Sequence, residues 1–153
     1  MSYVRVDTNY GSFTLELYTQ EVPNTVAAFM SNVQRGYFNN TTFPRVDPGF
    51  MIQSERLRGV APPAAGRKPT ESPMSAAARK LKHTGAGIVG ALAPNGAGFF
   101  ITLAPTPWLD GKHTVFGRVY TGMRVIERIG NAATDPQNKP LEPITISEIS
   151  VLE

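Results

Sequence analysis

Two stretches of the sequence gather side chains that could bind a ligand or act on it. The first, at residues 43–53, places Arg45 shortly before Met51 and Gln53. Since side chains alternate across a strand with a period of two, a hairpin here would put Phe43 and Arg45 on one face. Met51 and Gln53 would share another face. Such a hairpin would present a guanidinium, an amide and apolar patches within a small region.

The second stretch, residues 99–117, is dense in aromatic, polar and basic side chains. It contains Trp108, the only tryptophan of the chain, and His113, one of two histidines. No serine stands with a histidine and an acid in the setting of a nucleophile elbow, so no catalytic triad is indicated. The glycines that begin at Gly85 echo a phosphate-binding loop, but no βαβ unit surrounds them. Residue types and spacing alone therefore leave the reaction open.

The composition argues against several classes of function. The chain has no cysteine, which removes disulfides, thiol nucleophiles and cysteine-based metal sites. With only His83 and His113 it cannot build a three-histidine metal site, so neither a metal nor a cofactor is expected. No apolar run approaches the ~20 residues that span a bilayer, and the N-terminus lacks the apolar core of a signal peptide. We expect an intracellular protein, of the cytoplasm or nucleus, with no membrane partner.

The charge of the chain is concentrated in one segment. Residues 54–82 contain seven basic and two acidic side chains, a net charge of +5 that exceeds the +3 of the whole chain. The segment also contains four prolines and shows no periodicity beyond one helical turn at 76–81. A loop of this length inside a domain is either functional or mobile.

The rest of the sequence predicts a mainly β fold. An apolar stripe from Val22 to Val33 predicts a helix of about 13 residues, with Pro23 in its first turn and Gly36 just past its end. A second short helix is predicted around Ile126. Strands are predicted at 3–8, 11–18, 41–46, 50–53, 86–92, 98–103, 114–120 and 144–152. Strands without regular βαβ alternation favour a closed antiparallel barrel with helices as lids.

The run TPWLDGKHTVFGR at residues 106–118 closely resembles the signature of the cyclophilins, the peptidyl-prolyl cis-trans isomerases. The likeness runs from the opening hairpin through ELYTQEVPNTVAAF at residues 16–29 to the last strand, and fails only at 54–82. It is strongest to the small single-domain members found in spliceosomes. The resemblance implies a closed eight-stranded antiparallel barrel capped by two helices. We therefore expect residues 1–153 to form one such domain, a monomer with an atypical basic loop.

The resemblance also implies a reaction in which no bond is made or broken. Rotation about an X–Pro bond has a barrier of about 18–20 kcal/mol, and its transition state is a twisted amide whose nitrogen is pyramidal and basic. A donor aimed at that nitrogen stabilises the transition state over the planar ground state. Arg45 matches the family's catalytic arginine and is expected to be this donor.

The remaining family positions bind the substrate. Phe50, Met51, Phe100 and Leu109 match the pocket for the proline ring, and Gln53 matches an amide that hydrogen-bonds the substrate backbone. His113 matches the pocket histidine, and Trp108 matches the indole at the pocket edge through which the family binds cyclosporin A. Ala91 and Leu92 match a segment that offers backbone groups to an extended substrate.

Three departures from the family pattern bear on activity. Pro44 stands where the family usually has a histidine, which removes a backbone donor beside Arg45. Leu92 replaces an asparagine, and Gly98 replaces a glutamine of the active site, within a loop shortened at residues 93–98. If the missing amide held Arg45 in place, its loss would reduce turnover.

Three hypotheses follow. The first is an active isomerase of proline-containing peptides or proteins. The second is a weakly active or inactive proline-peptide scaffold in a ribonucleoprotein complex. The third is a contact with nucleic acid or ribonucleoprotein through the basic segment 54–82, which could coexist with either of the others.

Overall fold

The computed structural model describes residues 2–58, 70–72, 75, 81–82, 84–93 and 95–152. The strands among them are β1 (Ser2–Thr8), β2 (Gly11–Leu17), β3 (Thr41–Thr42), β4 (Arg45–Asp47), β5 (Met51–Gln53), β6 (Ile88–Ala91), β7 (Phe99–Thr102), β8 (Val115–Thr121) and β9 (Thr145–Leu152). The α-helices among them are α1 (Pro23–Gln34) and α2 (Met123–Gly130), and Pro107–Leu109 forms a 3-10 helix.

These strands form one antiparallel sheet in the order β3-β9-β1-β2-β8-β6-β7-β5-β4. The predicted mainly β fold with two helices is confirmed, but the strand count is not eight. The strand expected at 41–46 is broken into β3 and β4, which lie at opposite ends of the sheet order. Phe43 and Pro44 join these two ends through the chain itself. The architecture is a curled nine-stranded sheet. Its two end strands, β3 and β4, are connected by the short segment Phe43–Pro44, and they do not pair with each other to close a barrel.

The break at Pro44 separates two side chains that were expected to share a face. Because proline has no N–H to donate to a ladder, the strand stops before it and restarts at Arg45. Phe43 is buried in the core, where its ring packs edge-on against Phe99 with centroids 6.0 Å apart. Arg45 is exposed. The prediction that Phe43 and Arg45 lie on one face is therefore wrong.

The core lies on one face of the four strands nearest the predicted site. Val46 on β4 opposes Ile52 on β5, which opposes Ile101 on β7, and Ile101 in turn opposes Val89 on β6. All four side chains are fully buried. Since neighbouring residues on a strand point to opposite faces, the residues on either side of this row face away from the core.

Helix α1 has the predicted boundaries and packs on the sheet through Val26, Phe29 and Val33. The Phe29 ring lies against Phe99 and Phe116, at centroid distances of 5.6 and 5.2 Å. The second predicted helix is α2, in which Ile126 and Ile129 are buried. Among the described helices, none has the length and apolar character needed to cross a membrane.

The N-terminus of α1 is capped from a distant part of the chain. The residue before the helix, Val22, makes no side-chain cap, and the carboxylate of Glu71 takes this role. It accepts hydrogen bonds from the backbone N–H groups of Asn24 at 3.1 Å and Thr25 at 2.7 Å. The backbone N–H of Glu71 donates in return to the Thr25 hydroxyl at 3.2 Å. The Glu71 carbonyl also accepts from the hydroxyl of Thr114 at 3.0 Å. One residue thus links α1 to the chain that leads into β8.

Within the segment 54–82, the described residues 54–58, 70–72, 75 and 81–82 belong to no helix or strand. Most of the helical turn predicted at 76–81 lies outside the described residues.

Candidate active site

One row of residues runs across four neighbouring strands on the face opposite the core row. Arg45 on β4 opposes Gln53 on β5, and Gln53 opposes Phe100 on β7. Phe100 opposes Gly90 on β6. Directly opposed residues of an antiparallel sheet project from the same face, and adjacent strands lie about 4.8 Å apart. The sheet therefore places the expected catalytic arginine, the expected amide and an expected pocket aromatic in one line.

Arg45 is partly held by an acidic residue on its own strand. Its guanidinium Nη2 donates to Oδ2 of Asp47 at 3.4 Å, and 46% of the arginine side chain is exposed. Asp47 lies two positions further along β4, on the same face. Asp47 is not among the residues predicted from the sequence, although the alternation of side chains on the strand could have identified it. The guanidinium has further N–H donors that this single contact leaves available.

The apolar floor beside Arg45 consists of Phe100 and Met51, both buried. Gly90 makes this floor possible, because a Cβ at residue 90 would lie 2.2 Å from Cζ of the Phe100 ring. Met51 opposes Thr102, two residues beyond Phe100, and so lies on the same face. The prediction that Met51 and Gln53 share a face agrees with this register.

An aromatic pair forms one rim of the site. The rings of Phe50 and Trp108 lie 5.7 Å apart at 47°, and the indole is 57% exposed. Phe50 is fixed by a hydrogen bond from the backbone N–H of Leu103 to its carbonyl at 2.8 Å. Trp108 and Leu109 both belong to the 3-10 helix, and the backbone N–H of His113 donates to the Leu109 carbonyl at 3.2 Å. The signature run is thereby folded into one compact turn.

His113 closes the other side of the apolar floor. Its ring meets the ring of Phe100 edge-on, at 5.3 Å and 80°. Its Nδ1 lies 3.0 Å from the carbonyl oxygen of Ala91. Because a carbonyl can only accept, Nδ1 carries the proton of this hydrogen bond, and Nε2 of the neutral ring is an acceptor. The contact orients both His113 and the end of β6.

The backbone of Leu92 is already hydrogen-bonded at both of its polar groups. Its N–H donates to the Gly98 carbonyl at 3.1 Å, and its carbonyl accepts from Nη2 of Arg56 at 3.1 Å. A carbonyl oxygen has a second lone pair, whereas the N–H group has no second hydrogen to donate. The donor that was expected to meet the substrate at Leu92 is thus in use within the protein.

The segment that follows β5 fills the space around Gly98. Ser54 and Leu57 donate from their backbone N–H groups to the carbonyls of Phe99 and Ala97, at 2.9 and 2.6 Å. A Cβ at residue 98 would lie 2.9 Å from Cδ1 of Leu92 and 3.0 Å from a backbone carbonyl oxygen in this segment. A side chain at residue 98 would therefore require Leu92 and the Glu55 backbone to shift.

The structure thus brings together five expected site residues by contact or register around one face of the sheet: Arg45, Met51, Gln53, Phe100 and His113. Phe50 pairs with Trp108, Leu109 follows Trp108 in the 3-10 helix, and Ala91 and Leu92 lie at the end of β6. Gly90, Asp47 and Arg56 belong to the same region and were missed. Gly90 carries no local signal for its role, because the need for glycine arises from a ring on the next strand. Arg56 lies in the basic segment whose fold the sequence does not predict.

Comparisons with known proteins agree with this architecture. Residues 3–151 match the family model described as "Cyclophilin type peptidyl-prolyl cis-trans isomerase/CLD". The chain is 45% identical over 157 residues to "Peptidyl-prolyl cis-trans isomerase-like 1" of Emericella nidulans, covering 98% of this chain and 94% of that protein. It is 41% identical over 154 residues to "Peptidyl-prolyl cis-trans isomerase ppi1" of Schizosaccharomyces pombe, covering 95% and 96%.

A solved structure shows the same fold. The cyclophilin type peptidyl-prolyl cis-trans isomerase of Cryptosporidium parvum, crystallised in the presence of the dipeptide Ala-Pro, superposes with a TM-score of 0.85 at 27% identity. The superposition covers 99% of each chain. With the family model spanning nearly every residue, two relatives above 40% identity and this shared fold, the chain belongs to the cyclophilin-type peptidyl-prolyl cis-trans isomerase family.

Proposed function

We propose that this chain catalyses cis-trans isomerisation of X–Pro bonds, with Arg45 as the residue that stabilises the twisted amide. The observation that carries the proposal is the row formed by Arg45, Gln53 and Phe100. It sets an exposed, permanently charged donor and an amide beside a buried aromatic floor. A proline ring over Phe100 would bring its amide nitrogen toward the polar end of the row.

The reaction requires few protein groups beyond these. Twisting the amide removes resonance and leaves a lone pair on nitrogen, which accepts a hydrogen bond that the planar amide cannot. An arginine N–H directed at that lone pair lowers the barrier only in the twisted state. Gln53 can hold the substrate carbonyl or N–H, since its amide offers both a donor and an acceptor.

The cyclophilin solved with Ala-Pro supports a proline peptide as the ligand class for this chain. The apolar floor of Phe100 and Met51, with the His113 ring against it, suits the apolar ring of proline. Burial of such a ring against apolar side chains is favourable by about 25 cal/mol per Å². No nucleophile, metal or cofactor takes part in the proposed step.

The test is two-dimensional exchange NMR on an Ala-Pro peptide with catalytic amounts of the parent protein and of Arg45→Ala. We expect the parent to accelerate exchange and the variant to lose about 100-fold of that acceleration. Arg5→Ala is the matched control. Arg5 is also an exposed strand arginine, paired with the acid two positions on, Asp7, at 3.2 Å. Equal activity of Arg45→Ala and the parent would contradict the assigned role.

A second candidate function is a proline-peptide scaffold with little turnover, as a component of a larger assembly. The occupied backbone of Leu92 favours it, because one expected contact that orients the substrate is already used within the protein. Peptide resonances that shift on titration without accelerated exchange would select this function over the first.

A further inference from the structure

A cavity of about 380 Å³ continues the proposed substrate groove on the far side of His113. Its described lining comes from residues 70–72, residues 91–93, residues 112–114 and Thr25 of α1. His113 takes part in both regions, because its ring also meets Phe100 of the proline floor. The volume lies within the range of roughly 300–1,000 Å³ that is typical of ligand sites.

Two cationic side chains flank this cavity. Lys112 lines it directly and is exposed. Arg56 is fixed next to it, because its Nη2 donates to the carbonyl of Leu92, a residue of the cavity wall, at 3.1 Å. This hydrogen bond uses one of the five N–H donors of the guanidinium. Within the described part of the chain the other donors contact no acceptor, so they can bind a ligand at the cavity mouth.

Two acidic side chains near the cavity, Glu55 and Glu71, are directed to other partners. Glu55 accepts a hydrogen bond from the backbone N–H of Thr42 at 2.8 Å. Glu71 lines the cavity, but its carboxylate caps the N-terminus of α1, where the partial positive charge of the helix compensates it. The ion pairs between described residues involve neither Arg56 nor Lys112. The positive charge at the cavity mouth is therefore available to an anion.

We propose that Arg56 and Lys112 form an anion subsite that selects substrates with an acidic or phosphorylated side chain near the target proline. This proposal rests on the isomerase function proposed above, whereas binding of an anionic peptide at the subsite can be measured by itself. Leu92 lies two residues beyond Gly90, the partner of Phe100, which is roughly 7 Å along an extended chain. An extended peptide with its proline over Phe100 brings a side chain about two residues away to this point.

The experiment uses a neutral Ala-Pro peptide with Glu, phosphoserine or Gln placed two residues before or two residues after the proline. Dissociation constants come from NMR titration, and turnover comes from exchange spectra of the same samples. We expect the Glu and phosphoserine peptides to bind about three- to ten-fold more tightly than the Gln peptide at one of the two positions. The preference should shrink at high salt, because exposed charges are screened.

Charge-neutral variants assign the effect to the cavity. Arg56→Gln and Lys112→Gln should each reduce the ratio of Glu to Gln affinity, and the double variant should remove it. Arg58→Gln is the matched control, because Arg58 is also an exposed arginine of this segment but, unlike Arg56, donates to no described residue of the cavity wall. An equal loss in Arg58→Gln, or the same affinity for Glu and Gln at both positions, would overturn the proposal.

The two proposals fail separately. Tighter binding of Glu peptides with no accelerated exchange would leave the subsite standing and remove the isomerase assignment. Accelerated exchange with equal affinity for the Glu and Gln peptides would support the isomerase assignment and overturn the subsite. Displacement of the Glu peptide by single-stranded RNA, but not by a phosphoserine peptide, would assign the two cations to nucleic acid and overturn the subsite.

Discussion

Gly98 lies so close to Glu55 that a Cβ at residue 98 would stand 3.0 Å from the Glu55 carbonyl oxygen. The cyclophilin pattern has a glutamine at this position, whereas here the segment after β5 fills the space. The orientation of Arg45 therefore depends on other groups, of which Asp47 is the contact that the structure shows. The departure at Gly98 and the path of residues 54–58 are two aspects of one local rearrangement.

Placing the family's glutamine at residue 98 should therefore not recreate the family's contact with Arg45. We expect Gly98→Gln to lower the free energy of unfolding by roughly 1–3 kcal/mol, because Leu92 and the Glu55 backbone would have to move. We also expect no gain in isomerase activity. Urea denaturation and exchange NMR measure the two effects. Gly85→Gln is the control, because a Cβ at residue 85 meets nothing within 4 Å. If Gly98→Gln is as stable as the parent and has higher isomerase activity, the explanation given for Gly98 is wrong.

Gly90→Ala should damage the proline pocket more than the rest of the fold. The added methyl would lie 2.2 Å from the Phe100 ring, so the ring must leave its place in the floor. We expect weaker binding of the Ala-Pro peptide, together with a loss of stability of roughly 1–3 kcal/mol. NMR titration and urea denaturation measure these, with Gly85→Ala as the reference. Unchanged peptide affinity would show that Phe100 does not form the floor.

Asp47→Asn tests whether the acid on β4 orients the catalytic arginine. The substitution keeps the shape and removes the charge that faces Arg45 at 3.4 Å. We expect kcat/KM to fall by about two- to five-fold at low salt, with the difference narrowing as salt is added. Because Arg45 is exposed and Asp47 is only half-buried, the free energy of unfolding should change by about 0.5 kcal/mol at most. Asp7→Asn, which breaks the similar pair with Arg5, should leave turnover unchanged.

Glu71→Gln tests the cap of α1 through pH. Burial raises the pKa of Glu71, but hydrogen bonds from Thr25 and Asn24 outweigh it and hold the pKa below its ordinary value of 4.5. The carboxylate therefore stabilises the fold above pH 4.5, and this contribution is lost as the pH falls through the lower folded value. At neutral pH we expect the variant to be less stable by about 1 kcal/mol.

The measurement is denaturation of parent and variant between pH 7 and pH 3. The stability difference should narrow toward acid, and Glu142→Gln, at an exposed position, should show no such trend. A constant difference across this range would mean that the charge of Glu71 does not contribute.

The elements that follow local patterns could be predicted from the sequence. Apolar spacing, with Pro23 and Gly36 as boundaries, located α1, and alternation located the hairpin of β1 and β2. Alternation also placed Met51 and Gln53 on one face. Each of these features depends on neighbours within a few residues, which the sequence displays directly.

The features that depend on distant residues could not be predicted. Strand alternation predicted that Phe43 and Arg45 share a face. Because Pro44 has no N–H, the strand is interrupted there, and Phe43 lies in the core. The hydrogen bond from Arg56 to Leu92 joins residues 36 positions apart, across a segment with no periodicity. Such pairings are set by the packing of the whole sheet, so no local pattern records them.

The cap that Glu71 places on α1 also bears on the order of folding events. Thr25 and Glu71 are 46 positions apart, so the cap forms only after a long loop has closed. Until then the first turn of α1 has no side-chain partner for its free N–H groups. We expect this contact to form after the rate-limiting step of folding, so that loss of the cap speeds unfolding and leaves the folding rate unchanged.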